Sequence, residues 1–122
     1  MILELFTGLI AKHFICDFLL QTKYQYSNKG TYGHPGGLLH VIICMFGTWV
    51  VLYYVLGMFL LALPIIALEG IIHYHIDWAK MNLNTYLKLS PTNSEQFWWL
   101  LGFDQFLHYM TYVAIVWVCL QI

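Results

Sequence analysis

Three pairs of histidine and aspartate lie four residues apart in otherwise apolar stretches of the sequence. They are His13 with Asp17, His73 with Asp77 and, in the reverse order, Asp104 with His108. A spacing of four keeps two side chains on one face of an α-helix, about 6 Å apart along its axis. Imidazole nitrogen and carboxylate oxygen are ligands of zinc, and also of iron and manganese. The repeated pairing therefore predicts a centre for one or two divalent metal ions, with zinc favoured.

Two further residues extend the candidate site. His40 lies in another apolar stretch, and Glu69 precedes His73 by one helical turn on the same face. Glu69 is the candidate catalytic base, and the alternative roles are a group that orients the metal ligands or a buried hydrogen-bond donor. The complete set of predicted metal ligands is His13, Asp17, His40, His73, Asp77, Asp104 and His108. His75 points away from the face that carries His73 and is predicted to lie off the site.

The composition predicts a protein folded in a lipid bilayer. Of the 122 residues, 61% are hydrophobic and 9% are charged, whereas a soluble domain has about 25% charged residues. The five basic residues are all lysines, and the lack of arginine clusters argues against nucleic-acid binding. Cys16, Cys44 and Cys119 show no CxxC spacing and are predicted to be small apolar packing residues.

Four long apolar segments predict the elements that position these side chains. The predicted helices cover residues 2–22, 37–56, 58–83 and 97–122, and each is close to the roughly 20 residues that span hydrocarbon. The predicted fold class is all-α: an integral membrane four-helix bundle of two helical hairpins, with both termini on the same side and a single transmembrane domain (1–122). Gly57 marks a tight turn, Pro64 predicts a kink in the third helix, and Gly102 predicts close helix packing.

The acidic residues need partners in such a bundle. A carboxylate near the centre of a membrane helix costs about 2.5–3.5 kcal/mol, so four unpaired ones would cost on the order of 10 kcal/mol. Lys12 and Lys80 are too few to neutralise them and are expected to extend toward the membrane surface. A divalent cation would neutralise more charge, and the carboxylates not bound to it would orient the imidazoles.

Four motifs in a fixed order carry a family resemblance. HFICDFLLQ (13–21), LLHV (38–41), HYHID (73–77) and DQFLH (104–108) resemble those of a domain-of-unknown-function family of small membrane proteins from bacteria and their phages. The resemblance implies a helical protein of the bacterial inner membrane with a polar His/Asp centre. The residues it implies are His13, Asp17, Gln21, His40, His73, Asp77, Asp104, Gln105 and His108. A looser likeness links the chain to membrane-bound metal-dependent hydrolases of bacteria.

The lysines predict how the bundle is oriented. Lys23, Lys29 and Lys88 lie in the two polar loops, and the opposite end of the predicted bundle has no lysine or arginine. The positive-inside rule then places the polar loops in the cytoplasm and both termini outside.

Three functions are compatible with these features. The leading hypothesis is metal-dependent hydrolysis of a lipid-like phosphate or ester. In the second, a structural metal or polar centre clamps a small protein that acts by binding host membrane proteins. In the third, the centre carries protons or metal ions. The predicted partners are the bilayer, a lipid-like substrate or a host membrane protein, and a second copy of the chain. An open coordination position favours the enzyme, a closed site favours the clamp, and a continuous polar path favours the carrier.

Overall fold

Five α-helices and one π-helix make up the regular structure. The computed structural model describes residues 1–122 and contains no strand. The elements are α1 (Ile2–Phe14) running directly into a π-helix (Ile15–Leu19), the short α2 (Lys23–Asn28), α3 (Pro35–Leu56), α4 (Leu63–Tyr86) and α5 (Glu95–Cys119). The all-α prediction is therefore confirmed.

The four long helices pack in a ring. α1 contacts α3 and α5, and α4 contacts the same two helices from the other side. The short α2 lies against α3. Because each long helix has two neighbours, side chains that point inward from different helices meet along a common axis. This ring is what brings distant sequence positions to one site.

Local chemistry explains where α3 begins and ends. His34 precedes the helix, and its Nδ1 accepts a hydrogen bond from the Gly36 amide at 3.0 Å. Pro35 stands at the first helical position, where its fixed φ fits and no amide donor is needed. Gly57 ends the helix in the left-handed conformation at φ +68°, which glycine adopts without strain. The predicted turn at Gly57 is confirmed.

The third long helix differs from its prediction. Residues 57–62 connect α3 to α4, so the connection is longer than the predicted turn. Pro64 stands in the first turn of α4 and does not kink its interior, because proline is readily accommodated where the amides have no intrahelical acceptor. The predicted kink is therefore wrong. The short α2, in a stretch predicted to be irregular, was not predicted either.

One helix, α3, is long and apolar enough by length and composition to cross a membrane. The other three predicted spans do not reach that standard. α1 has 13 residues before it changes to a π-helix. The longer α4 and α5 carry several of the ionisable residues of the candidate site, which lower their hydropathy. Hydropathy therefore supports one span, whereas four were predicted.

Buried and exposed residues have an unusual distribution. Polar or charged residues and hydrophobic residues contribute equally to the buried set, twelve of each. Large hydrophobic side chains cover the outside of every long helix, among them Phe46, Leu68, Trp99 and Trp117, each more than half exposed. In water-soluble proteins charged residues are almost never fully buried. The bundle thus turns its polar groups inward and its apolar groups outward.

Close helix packing was predicted at Gly102, but the structure shows it at Gly8 instead. A Cβ at Gly102 would have no neighbour within 4 Å, so the predicted close helix contact there is wrong. A Cβ at Gly8 would lie 2.9 Å from Cγ1 of Val51. Gly8 is therefore the position where α1 and α3 approach closely.

Candidate metal centre

The π-helix and three α-helices deliver side chains with metal-binding atoms to one buried cluster. These atoms form two overlapping groups, and within each group all of them lie within 4.8 Å of one another. The first ligand group is Asp17, His40, Cys44 and His73, and the second ligand group is Asp17, His73, Asp77 and His108. The cluster thus joins residues from the π-helix, α3, α4 and α5.

The three predicted His/Asp pairs also meet. The separations are 3.6 Å for His13 Nδ1 and Asp17 Oδ2, 3.3 Å for His73 Nε2 and Asp77 Oδ2, and 3.7 Å for His108 Nε2 and Asp104 Oδ1. Each separation is slightly longer than a normal hydrogen bond. The four-residue spacing therefore places the two residues of each pair side by side, and both remain available to other partners.

Five of the six separations among the ligand atoms of the first ligand group are close to those of a tetrahedral site. His40 Nε2 lies 3.1 Å from His73 Nε2 and 3.5 Å from Asp17 Oδ1, and His73 Nε2 lies 3.9 Å from Asp17 Oδ1. Cys44 Sγ lies 3.4 Å from Asp17 Oδ1 and 3.6 Å from His40 Nε2. Around a zinc ion, nitrogen and oxygen ligands are about 3.3 Å apart, and a sulfur ligand is about 3.6 Å from them. The five distances centre on these values.

A neighbouring amide fixes the orientation of His40. Gln25 Nε2 donates to the Leu20 carbonyl at 3.4 Å, which leaves Gln25 Oε1 facing His40 Nδ1 at 3.3 Å. His40 Nδ1 then donates to that oxygen, and its Nε2 presents a lone pair toward His73 Nε2 and two carboxylates. A hydrogen on His73 Nε2, or a metal ion bound by both nitrogens, would satisfy this lone pair. Outer partners of this kind orient the histidine ligands of metals.

Asp17 owes its position to the π-helix. π-Helical turns change the direction of the side chains that follow, and they occur frequently at functional sites. Gln21, which the family resemblance singled out, donates from Nε2 to the Asp17 carbonyl at 2.7 Å. It therefore supports the backbone of this turn and does not contact the cluster.

The second ligand group already contains a cation. Lys29 Nζ lies 2.7 Å from Asp77 Oδ2, and both side chains are about 5% exposed or less. Asp77 Oδ1 lies 3.5 Å from His108 Nε2. The sequence placed Lys29 in a polar loop, but the segment after α2 folds inward and buries it. This carboxylate therefore has a compensating charge of its own.

Asp104 lies beside the second ligand group and is not a member of it. Its Oδ2 is 3.8 Å from Lys80 Nζ and accepts a hydrogen bond from Gln105 Nε2 at 3.0 Å. Its Oδ1 and His108 Nε2 are buried atoms without a hydrogen-bond partner. Lys80 is half-buried, so it approaches the site and does not simply extend to the surface as expected.

His13 lies outside both ligand groups because its two ring nitrogens are occupied. Nε2 bonds to Gln105 Oε1 at 2.8 Å, and Nδ1 bonds to the Tyr112 hydroxyl at 2.9 Å. An amide oxygen accepts, so Nε2 carries the proton and the tyrosine donates to Nδ1. His13 thus links α1 to α5 by hydrogen bonds. His75 is exposed and bonds to Tyr32 and to the Ile71 carbonyl, so its predicted place off the site is confirmed.

Glu69 also lies apart from both ligand groups. Its Oε1 is 2.6 Å from Lys12 Nζ, and both side chains are buried. Lys12 also lies 4.8 Å from the centre of the Tyr112 ring. Lys12 therefore does not extend toward the surface as expected, because the carboxylate and the ring hold it inside. The structure gives Glu69 this ion pair and no contact with the two groups.

A family match accompanies this geometry. A sequence family described as "Protein of unknown function (DUF3307)" matches residues 5–122. The chain belongs to the DUF3307 family. The resemblance to a family of unknown function is thereby confirmed, over nearly the full length of the chain. No curated protein and no solved structure matches the chain.

Sequence reasoning missed four residues around the cluster. The sequence predicts Cys44 to be a packing residue and Lys29 to be a loop residue, and it assigns no role to Gln25 or Tyr112. The spacing of Cys44, four residues after His40 on the same helix face, is a signal that could have identified it. Nothing in the sequence marks the other three, because each comes close to the candidate site only through the tertiary fold.

Charge counting identifies the carboxylate that lacks a partner. Glu69, Asp77 and Asp104 face Lys12, Lys29 and Lys80 respectively. Asp17 has no lysine and faces only histidines and the Cys44 thiol. A buried carboxylate without compensation is costly. The donor atoms around Asp17 therefore fit a metal ion in both geometry and charge.

Proposed function

We propose that this DUF3307 protein is an integral membrane protein that binds one zinc ion through Asp17, His40, Cys44 and His73. The tetrahedral spacing of the first ligand group carries the proposal. With an ionised Asp17 and a Cys44 thiolate, a divalent ion makes the group neutral. Sulfur ligands suit zinc and iron better than manganese, so zinc is favoured and iron is the alternative.

The ion would act as a clamp between helices. Four protein ligands fill a tetrahedral shell and leave no open position, which is typical of structural zinc sites. None of the four residues is more than 6% exposed. The ion would tie the π-helix to α3 and α4 in a chain whose apolar core is small. A rigid bundle of this kind suits a protein that acts by contacting other membrane proteins.

The distribution of apolar side chains supports a bilayer as the surroundings. Exposed Leu, Ile, Phe and Trp cover all four long helices, and this surface would be unfavourable in water. We propose a multi-pass protein of the bacterial inner membrane, with the exposed Lys23 and Lys88 on the cytoplasmic side. The protein should remain in the membrane pellet after alkaline carbonate extraction, and release into the supernatant would contradict this.

Cobalt substitution tests the ligand set. Tetrahedral Co²⁺ shows intense visible bands, and a thiolate ligand adds a charge-transfer band in the near ultraviolet. We expect both in the Co²⁺-loaded protein. Cys44→Ser should abolish the charge-transfer band, whereas Cys119→Ser, which alters a cysteine near the end of α5, should leave it unchanged. A spectrum of octahedral Co²⁺, or a charge-transfer band that survives Cys44→Ser, would overturn the assignment.

Hydrolysis of a lipid-like phosphate is the second candidate function. A cavity of about 150 Å³ between α4 and α5 has Lys80 and Asp104 in its wall, and Asp104 adjoins His108 of the second ligand group. A phosphate entering from the lipid could meet Lys80 there. Release of inorganic phosphate from lipid phosphates in micelles, lost in Lys80→Met, is the expected result. A rate equal to that of the buffer would end this candidate.

Transport is disfavoured by the apolar core. Leu5, Leu9, Leu52 and Ile115 are buried on the side of the bundle that holds the ends of the sequence. A conducting path needs polar groups or water along its whole length. The polar cluster therefore ends inside the bundle.

A further inference from the structure

The second ligand group has the residues of a metal site, but a lysine side chain lies against one of its carboxylates. Its ligand atoms are as close together as those of the first ligand group. Lys29 Nζ lies against Asp77 Oδ2 at 2.7 Å and is 5% exposed. The lysine thus places a positive charge against Asp77, one of the residues that would hold a second metal ion.

Lys29 does not provide hydrogen bonds to all the buried polar atoms of this region, as two neighbouring atoms show. Asp104 Oδ1 and His108 Nε2 are buried and have no hydrogen-bond partner, although they lie 3.7 Å apart. Asp77 Oδ1 lies 3.5 Å from the same His108 nitrogen. Buried polar atoms normally have partners. Two carboxylate oxygens and one imidazole nitrogen that converge without hydrogen bonds form a cation-binding arrangement.

We propose that the Lys29 ammonium takes the place of a second divalent ion and keeps the centre mononuclear. This inference rests on the proposed function, because it presumes an ion in the first ligand group. Removing the charge of Lys29 leaves Asp77 buried without compensation, which strongly favours any cation that can reach it. Asp77 and His108 of the second ligand group, together with the adjacent Asp104, would then bind a second zinc ion.

The short α2 and the residue after it contribute one side chain to each ligand group. Gln25 on α2 orients His40 of the first ligand group, and Lys29 follows directly after α2 and neutralises Asp77 of the second. One short segment therefore prepares the first group to bind an ion and closes the second. The same segment packs on α3, so its position is fixed by the bundle.

Zinc stoichiometry tests the proposal. Purified protein is equilibrated with excess zinc, freed of unbound metal by gel filtration in detergent, and analysed for zinc per chain. We expect one ion in the wild type, two in Lys29→Met and one in Lys29→Arg, which keeps the charge. The double variant Lys29→Met/Asp77→Asn removes both partners and should return to one ion.

Each outcome bears on a different statement. One ion in Lys29→Met, two in the wild type, or two in the double variant would overturn the role of Lys29. No ion in the wild type would overturn the proposed function itself. Lys29→Met that stays unfolded with zinc in excess also contradicts the proposal, because the second ion should restore the charge balance.

Discussion

The buried pair of Lys12 and Glu69 offers a prediction whose size follows from the structure. Lys12 Nζ lies 2.6 Å from Glu69 Oε1, 3.4 Å from the Cys44 carbonyl and 4.8 Å from the centre of the Tyr112 ring. Lys12→Met retains most of the aliphatic volume and removes the charge. Glu69 is then a buried carboxylate without a cation, and its second oxygen already lacks a hydrogen-bond partner.

The expected decrease in stability is large. Removing one partner of a buried ion pair costs about 3–5 kcal/mol. Without the ammonium, the cation–π interaction with the Tyr112 ring is absent too, which adds about 1 kcal/mol. In Lys12→Met/Glu69→Gln the stranded carboxylate is gone as well, so the remaining cost is about 1–3 kcal/mol, from the cation–π interaction and the missing hydrogen bonds. The second substitution should therefore restore about 3 kcal/mol.

The assay is reversible unfolding in mixed micelles, followed by tryptophan fluorescence. Lys23→Met, at an exposed lysine, is the matched control and should change the free energy of unfolding by less than about 0.5 kcal/mol. The reasoning is refuted if Lys12→Met behaves like this control. It is also refuted if Glu69→Gln destabilises the Lys12→Met protein further.

Three smaller predictions concern packing and one hydrogen bond. Gly8→Ala should destabilise the fold by about 1–3 kcal/mol in the same unfolding assay, because the new methyl group would crowd Val51. Gly102→Ala has open space and should stabilise by up to about 1 kcal/mol through helix propensity; a decrease in stability would contradict the placement of this residue. Tyr112→Phe removes the hydroxyl that donates to His13 and should cost about 1 kcal/mol, whereas no measurable change would mean that the hydroxyl does not donate to this ring.

The sequence predicted which His and Asp residues lie side by side, but it did not predict all the residues around the cluster. Helical spacing is local, so the His/Asp pairs could be predicted from their positions alone, and each pair is side by side in the structure. The all-helical fold followed from the length of the apolar segments. The turn at Gly57 was predictable for the same local reason, since its left-handed φ favours glycine.

The remaining features depend on the tertiary structure. The change from α-helix to π-helix at Ile15 has no marker in the sequence, although it determines where Asp17 points. Lys29 appeared to be a loop lysine because burial of the segment after α2 depends on its packing against α3. The spacing of Cys44 from His40 indicates a ligand, but buried cysteine is also a common packing residue, and the contacts with Asp17 and His40 are what favour a ligand role.

Metal analysis of the protein as purified from membranes, without added metal, tests the central claim most directly. We expect about one zinc ion per chain in the wild type and in His75→Ala, which alters an exposed histidine. We expect loss of the ion in His40→Ala, because His40 Nε2 is a proposed ligand and lies close to both His73 Nε2 and Asp17 Oδ1. Wild-type protein free of zinc and iron, or a metal content that His40→Ala leaves unchanged, would contradict the account.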